Sequence, residues 1–238
     1  PAPVNELIAA SLPWTLGLLL TTTVLVFIIG NLTGGLAGFF SRNRPMQVVD
    51  AMVMVLAPMP YYIVALMLII LFAHILPVFP VGGAYTIGAR IELSWGFVTD
   101  VLRHAFLPAV SLVVIGVATT HQVMRLIVQG VREEDYVHYA QIAGVNRWTI
   151  FTRYVMRNAM LPQITRFALG FASLFSGALI TEIVFAYPGV GLLTYKAILS
   201  SDYNVLMGVT TLSIVALTTS TLIMDLLNPL FDPRIRLT

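Results

Sequence analysis

Three side chains able to hold or exchange a proton stand where such groups are scarce: Glu182, Asp225 and His121 each lie within a long apolar stretch of the chain. A charge near the centre of a bilayer costs about 2.5–3.5 kcal/mol on insertion scales, so an ionisable group there either anchors the fold or serves a pathway. Glu182 stands near one end of its stretch and Asp225 near the opposite end of the last one, where water is within reach. Structural anchoring is the first reading of both, and pathway lining or gating the second. Glu182 is the better gate candidate, because it opens the run Glu182-Ile183-Val184-Phe185-Ala186-Tyr187-Pro188-Gly189. His121 lies deeper and is a further pathway candidate, as is Tyr187 within that run.

Other chemistry lacks its residues. A phosphate-cradling Walker A loop needs Lys beside Ser or Thr, and the sole lysine, Lys196, precedes Ala197. His74, His104, His121 and His138 form no His-Glu-x-x-His pair for zinc, and the chain has no cysteine. Neither a Gly-x-Ser-x-Gly nucleophile turn nor a Gly-x-Gly-Asp aspartyl site occurs. The expectation is a chain without catalytic residues, metal or cofactor of its own. A self-contained ion-coupled carrier using Glu182, Asp225 and His121 as proton sites stays open as the alternative. It would show internal repeats with helices broken at matching positions, and none is visible.

The elements that must position these residues follow from composition. The 238 residues are 58% hydrophobic and 10% charged, with a mean hydropathy of +0.89. So few charges cannot cover a water-soluble core of this size, and the net charge of +2 points to no nucleic acid. About 20 apolar residues cross the hydrocarbon. Five stretches meet or approach that length: 12–40, 46–76, 106–128, 164–185 and 205–230. Residues 7–41 carry no charge, and Gly30, Gly34 and Gly38 are spaced to pack a neighbouring helix closely. Asn31-Leu32-Thr33 matches a glycosylation sequon but falls inside this span and is discarded. Ten arginines fall on one side of these spans (Arg42, Arg44, Arg125, Arg132, Arg147, Arg153, Arg157, Arg166, Arg234 and Arg236), against Arg90, Arg103 and Lys196 on the other. Cytoplasmic loops are enriched in such charge, so the first side, with the C-terminus, is expected to be cytoplasmic. The chain opens Pro1-Ala2-Pro3, and a further helix is expected ahead of it to return the N-terminus to the cytoplasm.

The longest polar interval, about 129–163, reads as a helix opened by Glu133, Glu134 and Asp135, stopped at Gly144, then a second helix capped by Asn146. Pro162 would suit the first turn of the next span. An amphipathic surface loop and a docking element are equal readings of that pattern. Past the fourth span, Pro188, Gly189 and Gly191 break the helix ahead of an apolar segment, which reads as an external hairpin over about 187–203.

The segment Asp135-Tyr136-Val137, Ala140, Ala143-Gly144 and Arg157-Asn158-Ala159-Met160-Leu161-Pro162-Gln163-Ile164-Thr165 resembles the coupling loop of bacterial ABC-importer permeases of the dipeptide, oligopeptide and nickel group. His138, Tyr139 and Ala140 stand where the general motif has Glu-Ala-Ala, so only the alanine matches. Ser11-Leu12-Pro13 with Thr15, Phe79-Pro80-Val81-Gly82-Gly83, the Glu182–Gly191 run and Asp232-Pro233-Arg234-Ile235-Arg236 extend the resemblance over most of the chain. The Arg157-Asn158-Ala159 variant and Phe79–Gly83 are similar to the first permease of the pair. The resemblance implies an all-α integral membrane protein with the type I ABC importer fold, one permease domain over 1–238, in a bacterial or archaeal cytoplasmic membrane. It further implies that Asp135, Tyr136, Ala140, Ala143, Gly144 and Val145 couple the chain to ATPase. A second permease, two ATPase domains that bind ATP and Mg, and an external substrate-binding protein would be the partners, with the bilayer around them. Peptides or similar small polar solutes would be the cargo.

Overall fold

The computed structural model describes residues 2–92, 94–173 and 178–231, and of residues 168–173, 220, 224, 225 and 227–231 the backbone only. The side chain of Asp225 and the Asp232–Arg236 motif therefore lie outside the described residues. Ten α-helices carry the described chain: α1 Val4–Phe39, α2 Arg44–Leu56, α3 Tyr61–Ile69, α4 Trp95–Arg132, α5 Asp135–Ile142, α6 Arg147–Thr149, α7 Arg157–Ser173, α8 Leu179–Val184, α9 Val190–Leu199 and α10 Tyr203–Phe231. Wider π-helical turns extend α3 over Ile70–Ile75 and join α6 to α7 over Ile150–Met156.

Among the described residues α1, α4 and α10 are long and apolar enough to cross a membrane. The expected second span, 46–76, is not one rod: Arg44–Leu56 and Tyr61–Ile75 meet at a bend of 100°. Pro58 and Pro60 lack an amide hydrogen, and each disfavours the helical conformation of the residue before it, so the break follows from sequence. Counting that bent pair as one span gives four. The expected fourth stretch, 164–185, is carried by most of α7 and by α8, with residues 174–177 between them outside the described residues. Pro162 stands inside α7 as its sixth residue, not at the entrance to a new helix.

Two compact units contain these helices. The first comprises Pro1–Thr23, Met59–Val113 and Ala172–Thr221. Leu18, Ala65, Leu107, Phe185 and Tyr187 form its larger core, and a second cluster joins Val190 and Ala197 of α9 to Val205 and Val209 of α10, with Ile8 and Leu12 of α1 against them. The expected hairpin region lies wholly in this unit.

The second unit comprises Val24–Pro58, Val114–Phe171 and Leu222–Thr238. Its core gathers Phe39, Met124, Val128, Val137, Ile150, Phe151 and Val155. The glycine stripe of α1 faces α4 as its spacing requires. A methyl group at Gly30 would stand 2.6 Å from Thr120 Cβ, one at Gly38 2.7 Å from the Arg125 carbonyl oxygen, and one at Gly34 would strike the His121 carbonyl. Backbones approach this closely only where side chains are absent. The whole of 129–163 belongs to this unit.

Candidate functional site

The polar corner after α4 is built by local sequence. Glu134, in extended conformation, precedes α5, and Asp135 occupies the first turn, where a negative charge favours the positive end of the helix dipole. The helix then divides by face. Val137 and Ala140 are buried in the core, whereas Tyr136, Tyr139 and Ile142 stand outward, the last two about 70% exposed. Gly144 ends the helix at φ +75°, a left-handed conformation that favours glycine, with open space around it. The amide of Val145 returns to the Ala140 carbonyl at 3.1 Å, and Asn146 Oδ1 accepts from the Trp148 amide at 2.9 Å, as the expected cap. Asn158 Nδ2 donates to the Tyr136 hydroxyl at 2.9 Å, tying α5 to α7.

Of the six residues expected to couple this loop to a partner, Asp135, Tyr136, Ala143 and Gly144 are exposed, Val145 is half-buried and Ala140 is turned inward. Ala140 therefore packs α5 against the core. Tyr139 and Ile142, which sequence reasoning did not select, supply most of the outward apolar surface. Their signal was helical spacing: three residues apart, on the face opposite Val137 and Ala140.

In the same unit a buried polar cluster joins α1, α2 and α4. His121 is fully enclosed; its Nε2 lies 2.9 Å from Asp50 Oδ1 and its Nδ1 3.0 Å from the Thr33 hydroxyl. Arg125, one turn further along α4, places Nε 3.1 Å from Asp50 Oδ2, an ion pair without a well-aimed hydrogen bond. Asp50 thus sits between two groups of α4. Its sequence signal is a carboxylate inside the expected span 46–76, as with Glu182 and Asp225 in theirs. Arg125 was counted only as a charge of the cytoplasmic loops.

In the first unit Glu182 is fully buried, and its carboxylate accepts three hydrogen bonds: from the Thr15 hydroxyl at 2.8 Å and from the amides of Gly191 at 2.7 Å and Leu192 at 3.1 Å. Those amides belong to the first turn of α9, whose leading N–H groups have no partner within the helix. Thr15 Oγ1 also accepts from the Val190 amide at 2.8 Å. The glycines of the run make the cradle possible: a methyl group at Gly189 would strike Glu182 and Thr15, and one at Gly191 would lie 2.9 Å from Glu182 Oε2. Tyr187 packs edge-on to Trp14, their ring centroids 6.1 Å apart. Burial, with the charge of Glu182 as a smaller second cause, pushes its phenol up to about 12.

His104 is buried, its Nδ1 2.9 Å from the Asp100 carbonyl oxygen and 3.4 Å from Asp100 Oδ1. His74 is exposed. None of Glu182, His121 and Tyr187 offers appreciable surface to a solute within its own unit, since none exceeds 3% exposure.

Relatives extend the picture. The oligopeptide transport system permease protein AppB of Bacillus subtilis is 32% identical to this chain over 237 residues, which cover 98% of the chain and 72% of the relative. The probable D,D-dipeptide transport system permease protein DdpB of Escherichia coli is 30% identical over 98% of the chain and 73% of its own length. The putrescine export system permease protein SapB of Escherichia coli is 27% identical over 84% of the chain and 68% of its own length. The family described as binding-protein-dependent transport system inner membrane component matches residues 30–237. With that match over most of its length, relatives that are transport permeases and helices fit to span a bilayer, the chain belongs to this family as a multi-pass membrane permease of the peptide ABC-transporter group.

Proposed function

We propose that this chain forms half of the translocation pathway of an ATP-driven importer of peptides or similar small polar solutes, and that α5 with the Gly144 corner is where ATPase subunits grip it. The observation that carries the reading is the division of α5: Val137 and Ala140 fix it in the core, leaving Tyr136, Tyr139 and Ile142 as an apolar outward face within the long polar interval 129–163. Two ATPase domains would bind ATP and Mg and close on one another. The rooted helix would transmit that closure as a rigid-body movement to the spans. A second permease would complete the pathway, and an external binding protein would deliver cargo.

The arginine bias supports a cytoplasmic position for 129–163 and for the C-terminus. The hairpin 187–203 would then lie outside. Glu182 and Tyr187 would act there by holding the hairpin that seals the outer mouth, and His121 by fixing α2 to α4, each setting the place of a moving element instead of lining the path. Nucleic acid has no part in this scheme. Peptide cargo is carried over from the relatives named for oligopeptide and D,D-dipeptide transport, and a self-contained carrier is not favoured by family membership.

Isolation through a tag on this chain tests the reading. The native assembly should contain a second permease and ATPase subunits in fixed proportion, and a Tyr139→Asp/Ile142→Asp variant should keep the permease and lose the ATPases. Vesicles of the native assembly should accumulate a tripeptide only with the binding protein and ATP. Uptake that follows a proton gradient, or outward movement of putrescine in its place, would refute the import reading.

A further inference from the structure

Where α1 ends, the second unit gathers basic side chains that meet no counter-charge among the described residues. Arg132 and Arg147 both line a cavity of about 330 Å³, with Phe39 and Gln141. They also line an adjoining cavity of about 170 Å³, where Arg42 and Asn43 join them. Among the described residues no acidic side chain lines either cavity, and none of the three arginines has a carboxylate partner. Two of them are held in place by other means. Arg132 donates from Nη1 to the Phe39 carbonyl at 3.1 Å, which leaves its remaining N–H groups free to donate elsewhere, and the Arg147 guanidinium stands 5.7 Å from the Phe40 ring centroid. Guanidinium groups gathered in this way match the oxygen geometry of phosphate.

A third cavity of about 310 Å³ is apolar in character. Leu36, Met46 and Trp148 line it, and it shares Phe40 and Asn43 with the second. A cationic hollow that opens beside an apolar one suits a molecule with an anionic head and a hydrocarbon body. Leu36 belongs to a helix apolar enough to cross the bilayer and Met46 to the helix that follows, so the site stands where one membrane-spanning helix ends and the next begins.

We propose that these cavities hold one anionic phospholipid, its phosphate among Arg42, Arg132 and Arg147 and the start of an acyl chain against Leu36, Met46 and Trp148. Basic pockets at the ends of spans recognise phosphate-bearing headgroups in this way. Free phosphate would share the arginines but would leave the apolar cavity unused. The inference requires that the chain spans a membrane and does not depend on the cargo; Val145, which also lines the first cavity, is among the residues expected to meet ATPase, so the site adjoins that surface.

The test uses the whole assembly, isolated and placed in nanodiscs of phosphatidylcholine with a minor share of phosphatidylglycerol, with retained lipid counted by native mass spectrometry after detergent exchange. The native assembly should keep one phosphatidylglycerol per copy of this chain. An Arg42→Gln/Arg147→Gln variant should lose it by about tenfold or more, whereas Arg153→Gln/Arg166→Gln, which removes two exposed charges of the same unit from outside the cavities, should keep it. Equal retention by all three would overturn the proposal, as would equal loss in both variants. Displacement by millimolar inorganic phosphate would overturn it in favour of a free anion. Retention only after the ATPase subunits are stripped would overturn it in favour of a partner's acidic side chain. If the cavity variant does not fold, a phosphatidylglycerol with a photoreactive acyl chain decides on the native protein: labelling at Met46 or Trp148 supports the site, and labelling confined to other segments refutes it.

Discussion

Glu182 in the first unit and Asp50 in the second are both carboxylates withdrawn from water, and they are stabilised by different means. Among the described residues Glu182 meets no cation. A hydroxyl and two amides of the α9 first turn hold it, so the anion completes a helix end that would otherwise leave buried donors unpaired. Asp50 meets the imidazole of His121 and the guanidinium of Arg125, and its partners are side chains of another helix. The first arrangement ties a carboxylate to the backbone of its own neighbourhood, where glycines let the chain come close. The second joins two helices through side chains alone, and can separate without disturbing either helix. A hairpin that must keep its shape fits the former, and helices that must move as units fit the latter.

The largest effect expected from breaking this contrast is at Glu182. Glu182→Ala leaves two buried amides and the Thr15 hydroxyl without an acceptor and should cost about 3 kcal/mol or more, read from unfolding in lipid nanodiscs; Glu182→Gln, which keeps an acceptor, should lose less. Equal loss in the two variants would show that the hydrogen bonds are not what Glu182 contributes. Gly189→Ala drives a methyl group into the same carboxylate and should cost about 2 kcal/mol by overpacking, with the same readout. A double-mutant cycle of Asp50→Asn with Arg125→Gln should give a coupling of about 1–2 kcal/mol, whereas Glu182 cycled against any arginine should give none. Additive losses at Asp50 and Arg125 would remove the ionic half of the contrast.

Alkaline pH separates the regions next. Because the Tyr187 phenol is raised from its usual value near 10 to about 12, the unfolded chain releases this proton first. The contribution is whole below about pH 10 and is lost as pH rises towards 12. Tyr187→Phe should therefore flatten the alkaline decline in the unfolding midpoint. The smallest change in stability is expected at the outward face of α5: Tyr139→Ala should move unfolding by no more than about 0.5 kcal/mol while weakening ATPase capture, which separates docking from folding in one variant.

Much of this was legible in the chain before any contact was known. The left-handed turn at Gly144, the Asn146 cap and the close packing of Gly30, Gly34 and Gly38 are consequences of local backbone preference and helical period, which operate over a few residues. The bend of the second span has its local cause in Pro58 and Pro60, which interrupt an otherwise apolar run. At Asp50 the sequence shows a carboxylate in a span but not what lies opposite it; His121 is 71 residues away along the chain. Ala140 shows the same limit. Its place in a motif marked it as a contact residue, and only the packing of Val137, Ile150 and Val155 shows that it faces inward.

Composition and period determined that this chain is helical and built for lipid, because hydrocarbon accepts only segments whose backbone groups are satisfied internally and whose side chains are apolar. The order of its motifs marked the family. Tertiary structure alone decided the partners of the buried charges. Thr15 and Glu182 are 167 residues apart, and pairing across such a distance depends on which helices pack together, information that no local preference carries.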